Sequence, residues 1–189
     1  MFFRDLGREI IKNTEKHPDK IEFSLNNPFD RTFWNYQEFF IFKNIEKEFP
    51  TLDLNNLDTV LDLGANNGIF IEKMLRHGVN KIYGFEPSPN ALSNLRHRYS
   101  SNDKVTIVNK AVSNNNGKLT FYYHPDNSTI SAFEKSHITP HLPEHEILNC
   151  EVETIKLDDY CASQNINDID LIKIDNHIAT NLINNNHLA

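Results

Sequence analysis

The sequence predicts an α/β domain built on a mostly parallel sheet with a β-hairpin extension, and three observations carry that expectation. Short apolar runs at 60–63, 81–85 and 105–108 alternate with amphipathic segments at 68–77 and 90–99, the texture of a βαβαβ unit. The stretch TVLDLGANNGIF at 59–70 leads from an apolar strand, through a turn with two glycines, into one face of a helix. A further apolar run, DLIKID at 170–175, has the near-continuous hydrophobicity of a strand buried in such a sheet and ends on a carboxylate. A sheet of this kind is covered by helices, its crossovers are right-handed, and it takes ligands at the carboxyl ends of its strands.

Each element has its own signal. Residues 1–57 read as an N-terminal helical cap: Trp34, Phe39, Phe42, Ile45 and Phe49 recur at helical spacing as a packing stripe, after a turn at Asn26-Asn27-Pro28-Phe29-Asp30. The second unit is expected over 58–189. Gly78 stops the helix that begins near Gly68. Beyond Val112, the run Ser113-Asn114-Asn115-Asn116-Gly117 reads as a hairpin turn into an alternating antiparallel strand at 118–123. Residues 124–149, with Pro125, Pro140 and Pro143, read as irregular. A strand is expected at 151–157, with Asp158 capping a short helix, and 176–189 is asparagine-rich and weakly patterned. No internal repeat is present in the sequence.

Composition narrows the function. The 189 residues are 39% hydrophobic and 11% aromatic, enough for one domain with a sizeable core. The formal charge of −7, without long runs of one sign, argues against a nucleic-acid partner and against electrostatic attachment to a membrane. Asp5 interrupts the apolar start that a signal peptide needs and no run approaches membrane-spanning length, so a cytoplasmic location is expected. Cys150 and Cys161 lack metal-ligand spacing and read as reduced structural thiols, with no metal site expected.

The candidate site follows from strand ends. Asp62, Glu86 and Asp175 fall within or just past three apolar runs, so a parallel sheet brings them toward one crevice. Glu86 lies 22 positions after Gly64, the spacing of a carboxylate that accepts the hydroxyls of an adenosine ribose. The turn Gly64-Ala65-Asn66-Asn67-Gly68 has glycine at its first and fifth positions only and so does not match the G-x-G-x-x-G of a dinucleotide fingerprint, and backbone N–H groups at the following helix start are expected to face the ligand. With Asp62 beside it, the turn suits a nucleoside bearing a positive centre better than a diphosphate. His124, His137, His141 and His145 supply a candidate general base or, less in keeping with Pro140 and Pro143 between them, a metal site; surface and packing roles fit most of them better.

These stretches, VLDLGANNGIF, IYGFEPSPNALSNL, VTIVNKAVSNNNGKLTFYY and CEVETIKLDDYC followed by DIDLIKID, resemble the FkbM family of S-adenosylmethionine-dependent methyltransferases over about residues 58–175. The resemblance implies a Rossmann-like class I methyltransferase fold, S-adenosylmethionine as cofactor, and O-methylation of a hydroxyl on a sugar or other small metabolite. It implies that Asp62, Gly64, Asn66 and Gly68 surround the methionine part of the cofactor and that Glu86 holds the ribose. Pro87 and Ser88 would shape the adenine edge, Asn109, Lys110 and Ala111 would close it, and Asp175 would lie near the transferring methyl. The family strand continues into a V-E-G-x-E-type helix start, whereas here Asp175 is followed by Asn176-His177-Ile178-Ala179-Thr180. The expectation is therefore a C-terminally incomplete sheet whose last strand offers an open edge for self-association, and, as the alternative to catalysis, a chain that binds the cofactor without transferring a methyl.

Overall fold

In a computed structural model, the structure describes residues 53–174. The expected helical cap over 1–57 therefore lies almost wholly outside the described residues, as do Asp175 and the 176–189 tail.

Four parallel strands form the first sheet: β1 (Thr59–Leu63), β2 (Lys81–Phe85), β3 (Val105–Val108) and, late in the chain, β8 (Leu171–Ile174), in the order β3-β2-β1-β8. Thr59 pairs with Lys81 and Leu63 with Phe85, while Asp62 stands level with Lys173 on the other side. Helices α1 (Ile69–Arg76) and α2 (Pro89–Tyr99) make the two crossovers among the first three strands. The chain then leaves and returns on the opposite side of β1, so the strand order reverses between β1 and β8. Such a switch point opens a crevice at the carboxyl ends, because the connections diverge from it in opposite directions.

The two faces of this sheet have separate cores. Val60, Ile82 and Val105 pack on one face against Phe70, Ile71 and Met74 of α1 and Leu95 and Tyr99 of α2. Leu61, Leu63, Phe85 and Val108 pack on the other against Val112 and Tyr160 of α3 (Leu157–Gln164). Tyr160 meets Phe85 edge-on with ring centroids 4.9 Å apart, an arrangement that aligns ring edge with ring face. Gly78 ends α1 as expected: at φ 84° it lets its own N–H reach Leu75 O and that of Val79 reach Met74 O, the paired bonds that close a helix on a left-handed residue.

The second sheet departs from expectation. Its order is β4-β7-β5-β6, from β4 (Ala111–Val112), β5 (Gly117–His124), β6 (Asn127–Ala132) and β7 (Leu148–Ile155). The Ser113 to Gly117 run is not a hairpin turn, because β7 lies between β4 and β5: Thr154 pairs with Ala111 in parallel and with Gly117 in antiparallel fashion. The asparagines arch over the end of β7 and hold it, Asn115 O accepting from Thr154 Oγ1 at 2.9 Å and Asn116 Oδ1 accepting from the Lys156 N–H at 2.7 Å. The hairpin comes one strand later, between β5 and β6 across His124 to Asn127, within the stretch read as irregular. Two short 3₁₀ turns at Lys135–His137 and Glu144–Glu146 fill the rest of that stretch. Asp158 does not cap α3; Lys156 holds the cap position and Asp158 sits in the first turn.

Candidate functional site

The crevice is built from the turn after β1. Gly64, at φ 91°, and Ala65 both donate their N–H to Phe85 O, at 2.9 and 3.0 Å, which folds the turn back over the end of β2. Asn66 adopts the left-handed conformation at φ 45° and donates its N–H to Glu86 Oε2 at 2.7 Å. Gly68 donates to Ala65 O at 2.8 Å. Four N–H groups of this turn, all ahead of the helix start at Ile69, thus bond to the protein itself.

Gly68 is a glycine for packing as well as for its φ of 78°. A Cβ there would stand 2.9 Å from Leu95 Cδ2 and from the Tyr99 ring and hydroxyl, so α2 comes against the turn from behind. Tyr99 donates its hydroxyl to Gly68 O at 3.0 Å and Arg98 Nη1 donates to Asn67 O at 2.7 Å. Neither Arg98 nor Tyr99 stands out in the sequence, where both read as ordinary positions at the end of an amphipathic helix.

Glu86 is the centre of the arrangement. It is 1% exposed, and its other oxygen, Oε1, accepts the Ser88 N–H at 2.7 Å. One carboxylate thereby ties the β1–α1 turn to the β2–α2 turn. Burial pushes its carboxyl up to about 7, against the two N–H bonds and the charge of Lys173, which favour the ionised form. Pro87 is buried beside it, and the Ser88 hydroxyl is buried with no hydrogen-bond partner among the described residues.

Asp62 is fully buried, and Lys173 Nζ lies 3.0 Å from its Oδ1 while donating to Gly64 O at 2.7 Å. The positive partner that the sequence reading sought in a ligand is thus supplied to Asp62 by the chain. A lysine within an apolar strand run was the available signal, since a buried ammonium needs an acid opposite it.

The structure brings Asp62, Gly64, Asn66, Gly68, Glu86, Pro87 and Ser88 to the carboxyl ends of β1 and β2. Asn109 is exposed just past β3, whereas Lys110 pairs with Glu153 of β7 at 2.8 Å and Ala111 is buried in β4, so both are engaged with the second sheet. Asp175 lies outside the described residues. The histidines do not form one cluster: His124 faces Glu146 at 3.6 Å, His145 faces the same carboxylate at 3.7 Å, and His137 faces Glu134 at 3.7 Å. Among the described residues no group of three or more His, Cys, Asp or Glu is placed to hold a metal ion, and no helix is long and apolar enough to cross a membrane.

A parallel sheet with a switch point, a glycine turn after its first strand and a carboxylate after its second are the parts of a Rossmann-like nucleotide-binding domain. The model of the methyltransferase FkbM domain matches residues 62–176, and the chain belongs to that family. It is 32% identical over 127 residues to the 2-O-methyltransferase NoeI of Sinorhizobium fredii, covering 61% of this chain and 51% of that protein. It is 41% identical over 94 residues to the tRNA U34 carboxymethyltransferase of Nautilia profundicola, covering 50% of this chain and 27% of that one. The chain therefore spans about half the length of the first relative and about a quarter of the second. A solved structure of the Trypanosoma brucei PRMT1 enzyme–prozyme complex with AdoHcy overlaps at a TM-score of 0.32 and 20% identity, over 40% of this chain and 24% of that one.

Proposed function

We propose that this chain binds S-adenosylmethionine at the β1/β8 switch point and serves transfer of its methyl group to a hydroxyl of a saccharide or other small metabolite. The observation that carries the reading is Glu86, a buried carboxylate held between the two turns by 2.7 Å bonds from Asn66 and Ser88. Each carboxylate oxygen keeps a second acceptor site after taking one N–H, so ribose hydroxyls can add to those bonds once the groups covering Glu86 are displaced. The unpartnered Ser88 hydroxyl offers a further hydrogen bond at the same edge. When bound, the cofactor supplies an electrophilic methyl on a sulfonium, which leaves the protein to align an acceptor oxygen and take up its proton.

In this reading Glu86 and Ser88 hold the nucleoside, Gly64, Asn66 and Gly68 shape the turn along the amino-acid part, and the resemblance to the family assigns Asp175, next in sequence after Ile174, to the acceptor side. Asn109 is assigned to the adenine edge, while Lys110 and Ala111, which follow it, are engaged with the second sheet. The 2-O-methyltransferase relative supports a hydroxyl acceptor, and the charge of −7 disfavours a nucleic-acid one. A cytoplasmic location is part of the same proposal.

The test is calorimetric titration with S-adenosylhomocysteine, then transfer of labelled methyl to a panel of saccharides. Glu86→Ala is expected to weaken binding about 10–100-fold, the loss of a charged acceptor. An unchanged dissociation constant in Glu86→Ala refutes the site, and binding without transfer to any acceptor favours a non-catalytic cofactor binder.

A further inference from the structure

The parallel register that sets Asp62 level with Lys173 brings two side chains from neighbouring strands onto one face of the sheet, about 5 Å apart at the backbone. Lys173 spans that gap and goes further. Its ammonium, with the side chain 14% exposed, lies 3.0 Å from Asp62 Oδ1 and 2.7 Å from the carbonyl oxygen of Gly64. The first contact sets a cation against the buried Asp62 carboxylate. The second grips the first residue of the turn, two residues before Asn66 donates to Glu86. A continuous line of charge-assisted contacts therefore runs from β8, through the turn, to the carboxylate between β2 and α2.

We propose that Lys173 is a positioning residue of the cofactor site: by holding Asp62 and the Gly64 carbonyl it sets the turn that places the Asn66 N–H on Glu86. The proposal rests on the cofactor reading for its consequence in binding, but its structural half concerns this chain alone. Lys173 also acts on Glu86 through its field. The charged groups acting on that carboxylate are Asp62 from β1, which disfavours its ionisation, and Lys173 from β8, which favours it.

Lys173→Met keeps the unbranched apolar stem of the side chain and removes its ammonium; Lys173→Arg keeps the charge. In the ligand-free protein, carbon-detected NMR titration of the Glu86 carboxyl is expected to give a midpoint near 7 in the parent, a higher one in Lys173→Met, and a value near the parent's in Lys173→Arg. The Asn66 amide is expected to exchange with solvent at least about tenfold faster in Lys173→Met, as the turn loses its grip. If loss of the ammonium beside Asp62 unfolds that variant, the double variant Asp62→Asn with Lys173→Met removes both charges, and faster Asn66 exchange is still expected because Gly64 O has lost the Lys173 donor. An unchanged Glu86 midpoint in folded Lys173→Met, or Asn66 exchange at the parent rate in the double variant, overturns the proposal. S-adenosylhomocysteine is expected to bind Lys173→Met at least about tenfold more weakly than the parent. A parent that does not bind it at all refutes the cofactor reading, while the two ligand-free measurements still decide the role of Lys173.

Discussion

Lowering the pH through neutrality should switch off cofactor binding through one residue, Glu86. Raising its carboxyl from 4.5 to about 7 means that the fold disfavours the ionised form by about 3 kcal/mol. Ribose hydroxyls donate to a carboxylate, and hydrogen bonds to a charged group are worth about 1.5–3 kcal/mol each, so binding pulls the group back toward ionisation. Below the midpoint the protein must first lose a proton, and the dissociation constant should weaken about tenfold per pH unit, by about 100-fold two units down. Titration calorimetry in two buffers of different ionisation enthalpy should show release of about half a proton near the midpoint. Glu86→Gln should flatten the profile. The unliganded protein runs the other way: a carboxyl raised in the fold contributes stability below its unfolded value of 4.5, and that stability is lost as the pH rises through about 7. A dissociation constant that stays flat across this window, or a Glu86→Gln variant with the parent's pH slope, would refute the reasoning.

Three further outcomes test the frame around the site. Gly68→Ala puts a Cβ 2.9 Å from Leu95 and Tyr99 at a φ of 78°; it should destabilise the domain by about 1–3 kcal/mol in denaturant melts, and an unchanged midpoint would mean that α2 does not press on the turn. Asp170 accepts the N–H groups of Asp58 and Thr59 at 2.8 and 2.9 Å, bonds that hold its carboxyl below the usual range; Asp170→Asn should lower the melting temperature at neutral pH, and the difference from the parent should vanish as acid protonates the parent's carboxyl. Among the described residues β8 pairs with β1 alone, and its Ile172 is 38% exposed; an edge of this kind is expected to recruit a second copy, so light scattering should show a mass that rises with concentration, and a constant monomer mass would show the edge to be covered.

Where the pattern was local, the sequence was legible. Strands β1 to β3 and helices α1 and α2 carry strong periods and clear stops such as Gly78, and their order alone places Glu86 at a strand end. The second sheet is not legible in the sequence because its pairing is not local: Asn116-Gly117 has the composition of a two-residue hairpin, yet the strand that fills the space beside β5 arrives only at Leu148. The β5–β6 hairpin escaped notice because Pro125 and the polar residues of β6 mask its alternation. At the site, spacing picked out Glu86 but not the two amides that hold it, since backbone partners leave no trace in residue identity. Lys173 looks in the sequence like one residue of an apolar strand, although its place beside Asp62 follows from parallel register once β8 is set next to β1.

The two buried carboxylates of the crevice differ in how the fold meets their charge. Asp62 has an ammonium at 3.0 Å and lies fully inside the core of strands; its charge is balanced by the fold, so a ligand has little to add. Glu86 receives two neutral amides and only the more distant field of Lys173, which leaves it poised near 7. A fold that meant to bury a carboxylate for stability alone would do better with an apolar side chain of the same volume, because amides do not repay the desolvation of a charge. A group held between protonation states is instead one that a few hydrogen bonds can tip. In the proposed site, that property would let Glu86 stay inside the protein without a ligand and ionise when hydroxyl donors arrive.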